Sequence, residues 1–189
     1  MKIGFAVTGS FCTLQNIIKA LKDIVDAGHD VTPIFSFNVS SLDTRFYKAK
    51  DFEKDVIALT GKEPIKTIVG AEPMGTSKAV DLLLVAPCTG NTLSKIACGI
   101  TDTPVTMAVK ATLRNNTPVV ISVSSNDSLG ANARNIGSLL NTRNVYFVPF
   151  GQDDHLKKPN SLIADTSLIL PACEKALEGK QLQPLFFHS

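Results

Sequence analysis

The stretch Pro87-Cys88-Thr89-Gly90-Asn91-Thr92 is the part of this sequence best equipped for chemistry. It follows Asp81-Leu82-Leu83-Leu84-Val85-Ala86, an apolar run that reads as a buried parallel strand stopped by Pro87. The small polar residues after Pro87 can turn backbone N–H groups outward and cap a helix from Thr89 to Cys98, at Thr89 or at Asn91. A strand, a polar turn and a helix N-terminus in that order bind phosphate or the polar edge of a cofactor. Thr8-Gly9-Ser10-Phe11-Cys12-Thr13 is a second such turn, in which Gly9 permits close backbone approach and Ser10 and Thr13 offer hydroxyls. Ser36 and Asn38 form an uncharged third turn, suited to a phosphate. A dinucleotide fold would place G-x-G-x-x-G in the first turn and a carboxylate near the second. Neither is present, which disfavours NAD.

These turns need a frame, and the chain alternates strand and helix patterns throughout. Strands are predicted over Lys2 to Thr8, Val31 to Phe37, Asp81 to Ala86, Val119 to Val123 and Val145 to Phe150. Leu14, Ile17, Ile18, Leu21 and Val25 fall at helical spacing before Gly28. Further helices are predicted over Arg45 to Thr60, Pro73 to Val80, Thr103 to Asn115 and Ser128 to Leu140, the last capped by Asn126 or Asp127. Thr67 to Val69 reads as a short strand or an extended connection. Gly151 to Asn160 reads as a polar loop, and Leu162 to Leu177 as a closing helix bent or divided at Pro171. The class is α/β: residues 1–189 as a single three-layer, Rossmann-like (flavodoxin-like) domain, a parallel sheet with helices on both faces. Such a sheet binds ligands beyond the carboxyl ends of its strands, where all these polar turns would gather.

Composition narrows the function classes. At 189 residues and 44% hydrophobic, the chain can bury one good core. A net charge of +2 argues against nucleic acid or an anionic membrane as partner. No run approaches the roughly 18 apolar residues that span a bilayer. The N-terminal apolar stretch is broken by Thr8-Gly9-Ser10 too early for a signal peptide. Cys12, Cys88, Cys98 and Cys173 have no metal-ligand spacing and read as reduced thiols of a cytoplasmic protein, with no metal site. Cys88 is either a small buried residue or, at a helix start, an acidified thiol; Cys98 reads as packing inside its helix.

From Pro87 to Asp102 the chain resembles the Pro-x-x-x-Asn-Thr-x-x-Lys-Ile-Ala-x-Gly-Ile-x-Asp signature of the flavoprotein family. That family includes FMN-dependent cysteine decarboxylases and flavin prenyltransferases. The resemblance implies FMN as cofactor, held by Gly9, Ser10, Phe11, Thr13, Ser36, Asn38, Pro87, Thr89, Asn91 and Thr92. It also implies a homo-oligomer with flavin near the boundary between protomers. The Pro-x-Met-Asn motif of the cysteine decarboxylases is reduced here to Asn126, and their flap cysteine has no counterpart, which counts against decarboxylation of a peptidyl cysteine.

Other segments are similar to one branch of the family: Gly9 to Thr13, Ser124 to Ala133 and Val148 to Asp154. That similarity implies an oxidoreductase component working with a separate nicotinamide-binding A subunit. Together they would form dipicolinate from a cyclic lysine-pathway precursor, in the mother cell of a sporulating bacterium. On this reading Asn91 and Asn126 orient flavin and substrate, and Asn126, Arg134, Lys110, His155, Lys157 and Lys158 are candidates for the small dicarboxylate. The rival readings are a decarboxylase-like FMN enzyme and a non-catalytic scaffold with a vestigial flavin or phosphate site.

Overall fold

A computed structural model describes residues 1–75 and 79–187. Strands β1 (Lys2–Val7), β2 (Asp30–Phe35), β3 (Leu82–Cys88), β4 (Val119–Ser125) and β5 (Val145–Phe147) are parallel, in the spatial order β2-β1-β3-β4-β5. This is the flavodoxin-like α/β arrangement that the alternating pattern predicts. All seven residues of β3 are buried, because this central strand is covered on both faces. Helices α1 (Leu14–Asp26) and α3 (Ala49–Thr60) pack together, and α1 also meets α8 (Ile169–Leu177). The other layer gathers α4 (Ile68–Ala71), α5 (Gly90–Ala97), α6 (Pro104–Arg114) and α7 (Ala133–Leu140). A five-residue helix, α2 (Phe37–Ser41), follows β2 and is capped by Ser36.

The sheet is mixed rather than wholly parallel. Strands β6 (Phe150–Gln152) and β7 (Leu162–Ala164) form an antiparallel pair, and β7 lies antiparallel to the end of β4. Two predicted elements are corrected by this hairpin. The strand read over Val145 to Phe150 divides at Val148-Pro149, and the polar loop after it narrows to the hairpin's connection. The closing helix begins only at Ile169, because Leu162 and Ala164 alternate inward as a strand and Asp165 then caps a 3-10 turn. Pro171 therefore falls in the first turn of α8, where its missing N–H leaves nothing unpaired.

Other boundaries shift for local reasons. The helix expected from Ser128 starts at Ala133, because Asn126 to Asn132 form consecutive turns tied by Gly130 N–H and Asn132 N–H to Asp127 O. The helix expected from Arg45 starts at Ala49, after a turn that Thr44 holds through the Phe46 and Tyr47 N–H groups. Thr67 caps the short α4 rather than joining a strand; Ile65 is the residue that bridges to Ile34. The helix read over Pro73 to Val80 is a 3-10 turn at Glu72–Gly75, and the rest of that reading falls partly outside the described residues. The C-terminal tail lies against its own sheet: Phe150 N–H donates to Leu185 O, and the Phe186 ring meets Phe150 edge-on. Phe186 nevertheless stays 62% exposed.

Candidate functional site

The crest of the site is the contact between the turns after β1 and β3. Thr8, 1% exposed, donates its hydroxyl to Pro87 O at 2.7 Å and accepts from Thr89 N–H at 3.0 Å. That one side chain fixes the two turns against each other. Beyond it Gly9, Thr89 and Asn91 stand between two adjoining clefts, to which all three belong.

The first cleft, about 310 Å³, is polar. Ser36, Asn38, Thr92 and Thr103 line it with hydroxyl and amide groups, and Lys95 supplies an ammonium. Three of its hydroxyls come from helix caps: Ser36 accepts from Val39 N–H, Thr89 from Thr92 N–H, and Thr103 from Thr106 N–H in a reciprocal capping box. Lys95 Nζ reaches both oxygens of Asp102, at 2.8 and 2.9 Å, and this hydrogen bond holds the Asp102 carboxyl below its ordinary range.

The second cleft, about 380 Å³, is broader and has a partly apolar wall. Ser10 and Ser124 share a 2.8 Å hydrogen bond across its floor. Asn126 accepts from Ser161 at 3.3 Å, which ties the end of β4 to the hairpin. Leu162 and Ile163 of β7 provide the apolar side, and Lys158 pairs with Asp153 at 2.7 Å on the hairpin connection. That hydrogen bond to Asp153 raises the Lys158 pKa. Both volumes fall within the roughly 300–1,000 Å³ usual for cofactor sites.

Gly90 makes the second cleft possible. A Cβ there would lie 2.5 Å from both Ser125 Oγ and Asp127 Oδ1, and 2.6 Å from Asn132 Nδ2. Without it, α5 begins directly against a polar network. Ser125 and Asn132 donate to the two oxygens of Asp127, while Asn132 Oδ1 accepts from Ser94 at 2.7 Å and from Asn135 at 2.9 Å.

The structure brings together most of the predicted residues. Gly9, Ser10, Thr13, Thr89, Asn91 and Asn126 meet in the second cleft, and Ser36, Asn38 and Thr92 in the first. Pro87 is buried beneath the crest and acts through its carbonyl. Phe11 stands beside Gly9, with ring atoms at 3.3 and 3.4 Å from where a Cβ would lie. Lys110 is not brought in: it lines a separate apolar groove between α5 and α6. Arg134, His155 and Lys157 are exposed and line neither cleft. Cys88 is buried, and burial pushes its thiol far above the ordinary range, which excludes an acidified thiol. Cys98 is exposed at the end of α5 rather than packed inside it.

The sequence places the polar turns Ser122 to Asp127 and Gly151 to Asn160 at the ligand edge without singling out Ser124, Ser125, Asp127 or Asp153, and it does not point to Ser161 or the β7 residues. The run Ser124 to Asp127 at a strand end was the available signal. The strands of the hairpin carry no such signal, since their place depends on pairing with a strand more than thirty residues earlier.

Comparison with known proteins agrees with this geometry. The chain is 47% identical over 184 residues to the B subunit of dipicolinate synthase from Bacillus subtilis (strain 168), covering 97% of this chain and 92% of that protein. The crystal structure of the dipicolinate synthase B subunit from Bacillus halodurans superposes with a TM-score of 0.91 at 40% identity, covering 100% and 96% of the two chains. A dodecameric FMN-dependent UbiX-like decarboxylase from Escherichia coli O157:H7 shares the fold alone, with a TM-score of 0.65 at 21% identity over 79% and 80%. The model of the Flavoprotein family matches residues 1–166, and the chain belongs to that family.

Proposed function

We propose that the chain is the FMN-binding component of a dipicolinate-forming oxidoreductase and acts with a nicotinamide-binding A subunit. Its place would be the cytoplasm of the mother cell of a sporulating bacterium. The observation that carries the reading is the pair of clefts meeting at Gly9, Thr89 and Asn91. The donor set fits FMN. Ser36, Asn38, Thr89 and Thr92 would hold a phosphate in the polar cleft, where hydroxyl and amide donors converge. Gly9 and Gly90 leave the wall of the second cleft without side chains, beside Leu162 and Ile163, as a flat ring requires.

Bound flavin would supply the hydride acceptance that aromatisation of a reduced ring needs. The protein's own part is orientation: Asn91 and Asn126, both exposed to the second cleft, offer amide donors and acceptors to ring and substrate. The charge balance supports a division of labour. The second cleft holds two carboxylates, Asp127 and Asp153, against one ammonium, Lys158, already paired with Asp153. A dicarboxylate substrate thus finds no uncommitted cation among the described residues of this cleft, and a partner chain must supply one. Phe37, on the rim of the polar cleft and 47% exposed, is a contact for a second copy in a homo-oligomer.

Reconstitution tests the reading: the A subunit alone, this chain alone and both together, each assayed for dipicolinate with and without FMN. The expected result is full activity only with both chains and FMN. Asn126→Ala should fold and bind flavin yet lose tenfold to a hundredfold in rate, roughly the worth of one or two hydrogen bonds to a charged group. An A subunit that reaches the full rate alone, indifferent to FMN, would reduce this chain to a scaffold.

A further inference from the structure

Most side-chain donors of the second cleft are already spent. Lys158 is paired with Asp153, and Ser125 donates to Asp127. Ser161 donates to Asn126, Thr13 to Ser10 O, and Thr89 to Thr92. The Ser10 and Ser124 hydroxyls differ. They bond to one another at 2.8 Å, and neither has a further partner among the described residues. Ser10 stands at the N-cap of the 3-10 turn Phe11–Thr13, yet its side chain caps nothing. Two hydroxyls carry two protons, and the bond between them uses one, so the pair keeps a proton without an acceptor. Both residues are half-buried and both line the cleft, where that proton is on offer. Besides the amides of Asn91 and Asn126, it is the strongest uncommitted side-chain donor there.

We propose that Ser124 is a specificity-determining residue of the second cleft and donates its hydroxyl to a carboxylate of the bound ligand, with Ser10 as the positioning residue behind it. This rests on the reading of the cleft as the site of a cyclic dicarboxylate. Ser10 follows Gly9 at the crest, whereas Ser124 pairs with Ile163 where β4 meets β7. A cofactor anchored in the polar cleft reaches the crest and Ser10 before it reaches β4, which leaves the Ser124 side to the ligand. Side chains alternate along β4, so Ser124 and Ser125 leave the strand on opposite faces. Asp127, bonded to Ser125, belongs to the α5–α7 side, and Ser124 faces Ser10, just before α1. The donor and the carboxylate that would repel an anion are thereby held apart. An anion at Ser124 selects one arrangement of the pair: Ser10 donates to Ser124, and Ser124 donates outward. The two bonds then run in one direction and polarise each other. One carboxylate of the ligand is held in this way by a neutral donor, and the other is left for the cation that a partner chain brings. No bond is made or broken by Ser124 in this role.

The test titrates pyridine-2,6-dicarboxylate calorimetrically into the full chain with its A subunit, with and without FMN. Ser124→Ala should weaken that binding by on the order of tenfold to a hundredfold, as expected for one hydrogen bond to a charged group, while FMN affinity and melting temperature hold. Ser124→Thr keeps the hydroxyl and should keep most of the affinity. Ser124→Cys keeps the shape with only a weak donor and should behave as Ser124→Ala does. Ser10→Ala leaves Ser124 its own proton and should cost less. Wild-type binding that is unchanged in Ser124→Ala would overturn the proposal and leave the reading of the cleft standing. Wild-type affinity in Ser124→Cys would overturn it by making the contact one of packing. A loss confined to FMN would give the hydroxyl to the cofactor, and a larger loss in Ser10→Ala than in Ser124→Ala would pass the contact to Ser10; either sinks the proposal. No binding by wild type under any of these conditions removes the proposal and the reading together. If FMN does not bind but the dicarboxylate does, and Ser124→Ala loses it, the inference stands and the cofactor reading fails.

Discussion

The two clefts that meet at Gly9, Thr89 and Asn91 are built by different means. The polar cleft is assembled from turns after β1, β2 and β3 and from the turn between α5 and α6, and its main hydroxyls are helix caps: Ser36 on α2, Thr89 on α5, Thr103 on α6. Every one of those bonds spans three residues. The second cleft is held by bonds between distant segments. Ser10 meets Ser124 across 114 residues, Ser94 meets Asn132 across 38, and Ser161 meets Asn126 across 35. A wall made of local caps persists as long as its helix does, whereas a wall made of long-range pairs depends on the whole sheet edge. The general cofactor group would therefore sit on local structure, and the discriminating ligand contacts on the part that must be assembled.

Breaking the hairpin should produce the largest effect. Phe150 opens β6, is 1% exposed, and packs its ring 5.8 Å from that of Phe147 and 5.2 Å from that of Phe186. Phe150→Ala should cost about 3–5 kcal/mol, by lost burial and the cavity left behind. Hydrogen exchange should quicken most at Leu162–Ala164, while the amides of Val39 and Thr92 change only with global stability. Equal local loss at both clefts would show that they are one cooperative unit.

The crest should respond next. In Thr8→Val the Thr89 N–H loses its acceptor, and Pro87 O loses the 2.7 Å hydroxyl donor while the Thr8 N–H stays at 3.3 Å. A buried polar group left unpaired costs about 1–3 kcal/mol, and both clefts should loosen together. Thr8→Ser keeps the hydroxyl and should recover most of the loss in a urea titration. A stable Thr8→Val with an undisturbed cofactor site would deny the crest its role.

Alkali offers a graded perturbation, beneath the crest at Cys88 and on α8 at Cys173. Burial pushes the Cys88 thiol far up and that of Cys173 up to about 12, from an ordinary value of 9.0. The folded state then keeps these protons after the unfolded chain has lost them. Their contribution is intact below the ordinary thiol value and is lost as pH rises above it, at up to about 1.4 kcal/mol per pH unit for each thiol. The urea midpoint should fall above about pH 9 accordingly, and less so in Cys88→Ala after correction for its own stability. In the native protein Cys12 and Cys98, both exposed, should react with a maleimide while Cys88 and Cys173 stay protected.

The difference between the clefts also explains what was legible in the sequence. Ser36, Thr89 and Thr92 announce themselves because a cap and the N–H it satisfies are near neighbours in the chain. The parallel order of β1 to β5 follows from a strand–helix rhythm that is equally local. The hairpin stays hidden because Phe150–Gln152 and Leu162–Ala164 are three residues each, too short to show a period. Leu162 and Ala164 join smoothly to the apolar pattern of α8, so the strand reads as helix. Asp127 reads only as a cap, since nothing in its neighbourhood shows that Asn132 is pinned from α5. Arg134 and Lys110 recommend themselves by charge and position near loops, but side-chain direction on α7 and α6 decides where they sit. That direction is set by packing and has no local sequence mark.

The smallest expected effect comes from Lys158. Its pair with Asp153 is exposed, so the fold owes it little, and Lys158→Gln should melt where wild type does. The cleft owes it more. Removing the ammonium leaves Asp153 and Asp127 facing the same space with no cation of the described residues beside them. A dianionic ligand should then bind more weakly, by a modest factor. Because the pair is open to solvent, that factor should shrink with ionic strength and vanish near about 1 M salt, where the screening length falls to roughly 3 Å. Asp153→Asn should act in the opposite direction, freeing the ammonium and tightening the same ligand. An effect of Lys158→Gln that survives high salt would mean a direct ligand contact, in which case this cleft brings its own cation and the partner chain need not supply one.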